Sequence, residues 1–388
     1  MRRNALLVVV VILASVLGAC GGETVAGEGR NERGAAVESA GAGGFDWSED
    51  NWEVIVAPPD GVTGQAPVVW TGEEFIVWGT PAAAFRPAGR TWRSLPPAPI
   101  GDRRGMVAVW TGSEVVYWGG GAPEGGGEFF SDGAAYNPNS NSWRLIAPSP
   151  LPARSGAVAD MVAGAMVVWG GITRCCPIDS VIHDPSAARY DPVTDSWSRL
   201  GDVPEPWSGD DGQEVTLIAH DSLYVFRRQQ LGQYDAVADE WRELPRPDVP
   251  RSQCWMTGGP VAIAEASRST IFTWSGGCAA EHGLAFDMAA GQWRPTAKAP
   301  PGGTAWSSSS ASGDGAVFLI TASTHEPEGA FAVHAYLVAD DRWVDLPRMP
   351  EGAIGSGAQL VWTGSELFAW GGWRQSGPVV GGVVYSTD

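Results

Sequence analysis

Tyr190-Asp191-Pro192-Val193-Thr194-Asp195-Ser196-Trp197 is the stretch on which the fold turns. Two large aromatic residues flank an Asp-Pro opening and a short polar run, which reads as strand, tight turn, strand. The same seven-residue spacing of Tyr or Phe before Trp recurs in Phe85…Trp92, Tyr136…Trp143, Tyr234…Trp241, Phe286…Trp293 and Tyr336…Trp343. Aromatic residues are too scarce for such a spacing to repeat by accident, so the chain is built from copies of one unit.

Upstream of each pair lies a second hairpin. It is clearest in Val68 to Gly79, Val107 to Gly121, Val158 to Gly171 and Leu360 to Gly372, and weaker in Val215 to Phe226, Val261 to Gly277 and Ser310 to Ser323. β-Branched and aromatic residues fill both arms, as expected of strands buried on both faces. Each unit, about 50 residues long, therefore offers four strands. The last unit ends at Val383-Val384-Tyr385-Ser386-Thr387-Asp388, with no Trp strand after it. Asn51-Trp52-Glu53-Val54-Ile55 resembles a Trp strand but has no aromatic partner before it. Pairing Trp52 beside Tyr385 completes the last sheet and removes two open strand edges. The expected fold is all-β: a seven-bladed β-propeller of four-stranded antiparallel blades, closed by pairing of the N-terminal strand with the C-terminal blade.

The Tyr-Asp-Pro…Trp unit, the period and the doublets Gly119-Gly120, Gly170-Gly171, Gly276-Gly277 and Gly371-Gly372 resemble kelch repeats over residues 45–388, although blades four and six lack the doublet. The resemblance implies the propeller. It implies no single activity, since kelch propellers include redox enzymes, mutarotases and binding platforms. The Trp of the repeat register are expected to pack between blades.

In such a blade the a–b and c–d turns share one face, and the b–c and d–a connections share the other. Nearly all the spare sequence falls on the second: Gly121 to Asp132, Ile172 to Ser186, Gly201 to Gly212, Pro245 to Trp255, Lys298 to Ser307, Thr324 to Ala330 and Trp373 to Val379. Long loops on a rigid scaffold are where binding residues concentrate. Arg103, Arg154 and Arg251 each sit shortly after a Pro and just before an inner strand. The resemblance places that position at the channel mouth, able to receive acidic groups. Arg174 lies in a neighbouring loop, and four guanidiniums there suit carboxylate or sulfate. The competing expectation is that each Arg ties down its own loop. Trp207, Trp255, Trp306 and Trp373 fall outside the repeat register on the same face, either as rigid anchors for a glycan or peptide or as caps over the core.

The first residues read as an address. Arg2 and Arg3 precede an apolar run from Ala5 to Ala19, then Leu17-Gly18-Ala19-Cys20, which resembles the lipobox of bacterial lipoproteins. The resemblance implies a signal peptide over 1–19, lipidation at Cys20, a Gly/Ala/Glu tether over 20–44 and a domain over 45–388 on the outer face of the cell membrane. With 25 Lys and Arg against 44 Asp and Glu, the net charge of −19 argues against nucleic-acid binding. A monomer is expected.

In an exported domain, Cys254 and Cys278 bracket one hairpin and are expected to form a disulfide. Cys175 and Cys176 could bridge each other or another loop. The five His fall in different blades without metal-ligand spacing, and a galactose-oxidase-like copper centre cannot be assembled from these loops. No metal, cofactor or catalytic residue is expected. The expected role is a binding module for a glycan or an extracellular protein segment. A carbohydrate-active mutarotase or oxidase using the same face, and a scaffold subunit of a lipoprotein complex, are the alternatives.

Overall fold

The computed structural model describes the chain from Asn51 to Ser386, apart from residues 57, 59–61, 63–66, 124–126, 175–181, 202–203, 205–213, 220–221, 228–229, 236–237, 249–260, 266–269, 275–281, 299–309 and 323–330. The described residues form seven four-stranded antiparallel sheets, two short ribbons and a single-turn 3-10 helix, Pro87–Gly89. Blade 1 is Val68–Trp70, Phe75–Val77, Ala83–Arg86 and Thr91–Ser94; blade 2 is Val107–Trp110, Val115–Trp118, Gly133–Asn137 and Ser142–Leu145. Blade 3 is Val158–Val162, Ala165–Trp169, Ala187–Asp191 and Ser196–Arg199, and blade 4 is Glu214–Ala219, Ser222–Arg227, Gln230–Asp235 and Glu240–Leu244. Blade 5 is Val261–Glu265, Thr270–Trp274, His282–Asp287 and Gln292–Lys298, and blade 6 is Ser310–Gly313, Ala316–Ala322, Phe331–Leu337 and Arg342–Asp345. Blade 7 takes Gln359–Trp362, Glu366–Trp370 and Gly381–Ser386 from the end of the chain, and its outer strand is Trp52–Val56.

The repeat becomes a cross-strand pair. Tyr190 sits opposite Trp197, and the five other aromatic pairs share that register. Trp52 sits opposite Tyr385 in the same way, with ring centroids 4.9 Å apart. Between the aromatics the turn makes its own bonds. Asp191 Oδ1 accepts from the N–H of Val193 at 2.8 Å, and Asn137 and Asp287 do the same in their blades. The turn ends in a left-handed residue five positions after the first aromatic: Arg90, Asn141, Asp195, Asp239, Gly291 or Asp341, with φ between 48° and 65°.

Two devices join neighbouring blades. At four seams a Trp at the end of the b strand meets the outer Trp of the next blade: Trp78 with Trp143, Trp118 with Trp197, Trp169 with Trp241, and Trp370 with Trp92 across the closing seam. Burying one such ring removes ~200 Å² from water, roughly 4 kcal/mol by area. The outer Trp then donates its indole N–H to a carbonyl of the preceding blade. Trp143 bonds Pro96, Trp197 bonds Ala147, Trp293 bonds Pro245, Trp343 bonds Ala297, Trp52 bonds Pro347 and Trp92 bonds Val56, at 2.5–3.0 Å. The last two bonds run through the strand supplied by the N-terminus, so the ring shuts with the chemistry of its other joints. Inner strands also meet at that seam, where Val68 N–H donates to Gln359 Oε1 at 3.0 Å and Phe75 stacks on Phe368 at 4.1 Å.

Candidate functional site: the ribboned loop face

The Gly-Gly doublets build this face. Gly119 and Gly120, Gly170 and Gly171, and Gly371 and Gly372 all have positive φ, between 62° and 95°. The second glycine of each pair also lies under the loop that enters its blade. A Cβ on Gly171 would stand 2.9 Å from Ala157 N, and one on Gly120 would stand 3.1 Å from Arg104 O. That approach lets the entering loop and the b–c loop pair as backbone. Arg104 bridges Gly121, Ser155 bridges Ile172, and Ser356 bridges Trp373. Beyond the bridges stand the ribbons Ile172–Arg174 with Ile182–His183, and Trp373–Arg374 with Gly377–Pro378. Blades 2 and 3 are stitched together as well, since Gly120 N–H donates to Arg154 O and Gly156 N–H to Gly105 O, both at 2.8 Å.

Within this frame the predicted residues separate. Arg154 is fully buried. Its guanidinium donates to Pro152 O at 3.1 Å, Gly170 O at 2.7 Å, Ser186 O at 3.1 Å and Ser186 Oγ at 2.8 Å, with Asp184 at 3.3 Å. Burial pushes it down from the ordinary arginine range, against the pull of the Asp184 charge. Arg103 is also buried, held by both Asp132 carboxylate oxygens at 2.7 and 2.9 Å, and it lies 4.2 Å over the Phe130 ring. Asp132 rather than Asp102 takes this charge; Asp102 Oδ1 accepts the Arg103 backbone N–H. Both side chains tie their own loops together, with their bonds made to groups of their own blades. The physical reason is saturation: the donors of Arg154 face loop carbonyls that would otherwise be buried unpaired.

Arg174 and Trp373 stand outward. Arg174 is exposed at the end of its ribbon strand, and Trp373 is 44% exposed at the start of the other. Ile182 is 43% exposed on the ribbon that carries Arg174, and Val380 lies exposed beside the Trp373 ribbon. Arg104, which sequence reasoning passed over, is exposed next to buried Arg103. The Arg103-Arg104 doublet was the available signal, because neighbours on extended backbone point to opposite sides. Arg251, Trp207, Trp255, Trp306, Cys20, Cys175, Cys176, Cys254 and Cys278 lie outside the described residues.

The opposite face has short turns, and its charges are largely spoken for. In Thr71-Gly72-Glu73-Glu74, Thr71 Oγ1 accepts the Glu74 N–H and donates to its carbonyl, and Thr111 and Thr363 repeat this. Glu114 then takes Arg144 at 2.6 Å, and Arg144 reaches Tyr190 and Asp195 of blade 3, both at 3.2 Å. Glu74, Arg93, Tyr136 and Asn141 form the same chain between blades 1 and 2. Arg294 makes its bonds to Tyr336 and Asp341 between blades 5 and 6. Burial drives the Tyr190 and Tyr336 hydroxyls above the ordinary tyrosine range. They remain neutral donors to Asp195 and Asp341.

One arrangement elsewhere has the outline of a nucleophilic relay. Thr321 Oγ1 lies 2.9 Å from His334 Nε2, and His334 Nδ1 lies 2.7 Å from Asp345 Oδ1. Thr321 is 3% exposed between strands of blade 6, so its hydroxyl has no room for a substrate, and the relay ties three strands together. Among the described residues, no cluster of three or more His, Cys, Asp or Glu has a geometry suited to a metal ion.

No protein-family model matches the chain. It is similar to Kelch-like protein 35 of Mus musculus, with 33% identity over 152 residues, covering 37% of this chain and 25% of that protein. It is also similar to Kelch-like protein terF of Aspergillus terreus, with 25% identity over 268 residues, covering 61% of this chain and 53% of that protein. The chain thus spans about a quarter and about half the length of these two curated relatives. With seven four-stranded blades in one ring, these similarities support a kelch-repeat propeller.

Proposed function

We propose that this kelch-type propeller is a protein-binding module whose working surface is the ribboned loop face, and that Cys20 anchors it, lipidated, outside the cell membrane. The observation that carries the reading is the ribbon Trp373–Arg374/Gly377–Pro378. It holds a large aromatic side chain out in solvent on backbone that is bonded to its neighbours rather than loose. An exposed indole on a rigid support loses little entropy on contact, which is what an interface anchor needs. On the same face, Arg104 of blade 2 and Arg174 and Ile182 of blade 3 add exposed cation and apolar surface. A protein segment suits this mixture better than a glycan does, because two separate guanidiniums and the exposed side chains of Ile182 and Val380 match a peptide's carboxylates and apolar side chains.

The test is site-specific photo-crosslinking in cells from position 373, with position 193 as the control. Val193 is 90% exposed, but it lies in a c–d turn on the far face. A discrete protein adduct from 373 alone is the expected result, and Trp373→Ala should then weaken that partner about 30-fold, as an interface hot spot does. Equal adducts from both positions would remove the loop face from the reading. Binding of the purified domain to a glycan array, lost in Trp373→Ala, would replace protein by carbohydrate as the ligand class.

A further inference from the structure

The closing seam carries the inter-blade charge pattern in reverse. At three seams the residue after the outer Trp is an arginine that reaches the next blade: Arg93 in blade 1, Arg144 in blade 2 and Arg294 in blade 5, whereas blades 3 and 6 carry Ser198 and Val344 there. The left-handed turn residue of the next blade is its acceptor: Asn141, Asp195 or Asp341, at 3.0–3.2 Å. In blades 1 and 2 the acid that opens the b strand, Glu74 or Glu114, holds the other side of the guanidinium at 2.6 Å. Between blades 7 and 1 the residue after the outer Trp is Glu53, and the left-handed turn residue is Arg90. Arg90 Nε donates to Glu53 Oε2 at 2.8 Å, and its Nη1 donates to Glu366 Oε1 at 2.9 Å. Glu366 opens the b strand of blade 7 and also accepts from Ser386 Oγ at 3.2 Å. These three seams and the closing seam each place one guanidinium between acceptors, but the closing seam draws it from the opposite side.

We infer that this reversal is a selection device that assigns the N-terminal strand to blade 7 and keeps the arginine-bearing outer strands out of that slot. The seven outer strands share the Trp register, so packing and backbone bonds hardly distinguish them. Charge does. The strand Trp52–Val56 in the place of the blade 2 outer strand would set Glu53 against Glu114 and Asp195 with no cation between them. A strand bearing Arg93 or Arg144 in blade 7 would set its guanidinium against Arg90. Mispairing then costs repulsion and the correct pairing gains a bridge, which is how one partner is chosen among near-identical ones. The device matters most here because this strand alone reaches its sheet from the far end of the chain, and its slot stands open until it arrives.

The test is a double-mutant cycle on the purified protein, read by amide hydrogen exchange at Trp52–Val56 with Ser142–Leu145 as internal reference. E53R and R90D should each speed exchange of the N-terminal strand about 10-fold while leaving the reference strand unchanged. The double variant E53R/R90D rebuilds the ordinary pattern at this seam and should return exchange to within about 2-fold of the parent. E53Q, which keeps the shape and removes the charge, should give a smaller rise of about 3-fold, and it keeps the question answerable should E53R fail to fold. Unchanged exchange in both E53R and E53Q, or a double variant as fast as the two single changes combined, would overturn the inference.

Discussion

The two faces of the ring use arginine for opposite ends. On the turn face, Arg93, Arg144 and Arg294 reach across blade boundaries and join one repeat to the next. On the loop face, Arg103 and Arg154 reach only into the loops of their own blades. The turn face therefore spends charge on holding the ring together, and its side chains remain one-third exposed while they do so. The loop face spends its buried charge on making loops rigid, and that leaves a second set, Arg104, Arg174 and Trp373, standing out on firm backbone. A face whose polar groups satisfy one another has little left to offer a partner; a face whose loops are braced from beneath can hold side chains in solvent.

The contrast is most severely tested at Arg154. Arg154→Ala leaves Gly170 O, Ser186 O and Asp184 without their buried donor and should cost about 3–5 kcal/mol. The thermal midpoint should fall, and amide exchange should rise first around Gly120 and Ser186 while Tyr190 to Trp197 stays protected. Uniform loosening of both faces would mean that the brace is not local. Arg144→Ala comes next. Its bonds to Glu114, Tyr190 and Asp195 are screened by solvent at a side chain about one-third exposed, so the loss should be about 1–2 kcal/mol, a drop of a few degrees. Exchange should then rise on the turn face between blades 2 and 3, leaving the ribbon at Ile172 unaffected.

Acid should give the smallest and most selective effect. Burial raises the Asp195 carboxyl, but the Tyr190 hydroxyl, the Ala147 N–H and Arg144 outweigh it and hold the group below the usual 3.8. A folded-state value below the unfolded one means that the contribution is complete above about pH 4 and is lost as pH falls through the folded value. Asp132, held low by its bond to Arg103 against the cost of burial, behaves in the same sense. The bonds from Arg154 to backbone carbonyls do not titrate. Between pH 5 and 3, the protection factor at Ala147, taken against the intrinsic exchange rate at each pH, should therefore fall more than that at Gly120, whose N–H rests on Arg154 O.

Much of the ring could be read before any coordinates, and the reason is periodicity. A Tyr or Phe opposite a Trp across a turn of fixed length is a local event, and six copies of a local event leave few ways to assemble. The closing pair Trp52 and Tyr385 was legible on the same ground, since an incomplete unit at each end of the chain has one complement. The site was less legible. Arg103 and Arg154 shared a Pro-Arg context with the expected ligand residues, and nothing local distinguishes an arginine facing solvent from one facing carbonyls 16 and 32 positions away. Arg104 was hidden by its neighbour, and the Thr321, His334 and Asp345 relay had no linear signature because three strands bring it together.

Sequence alone determined the unit, its number, its turn chemistry and the side on which the long loops emerge, because each of these follows from spacing within about 50 residues. Only the tertiary structure decided which charges are consumed and which are presented, and that the closing seam runs its ion pairs backwards. Those outcomes depend on which groups from distant repeats meet at about 3 Å, and on how much water remains where they meet.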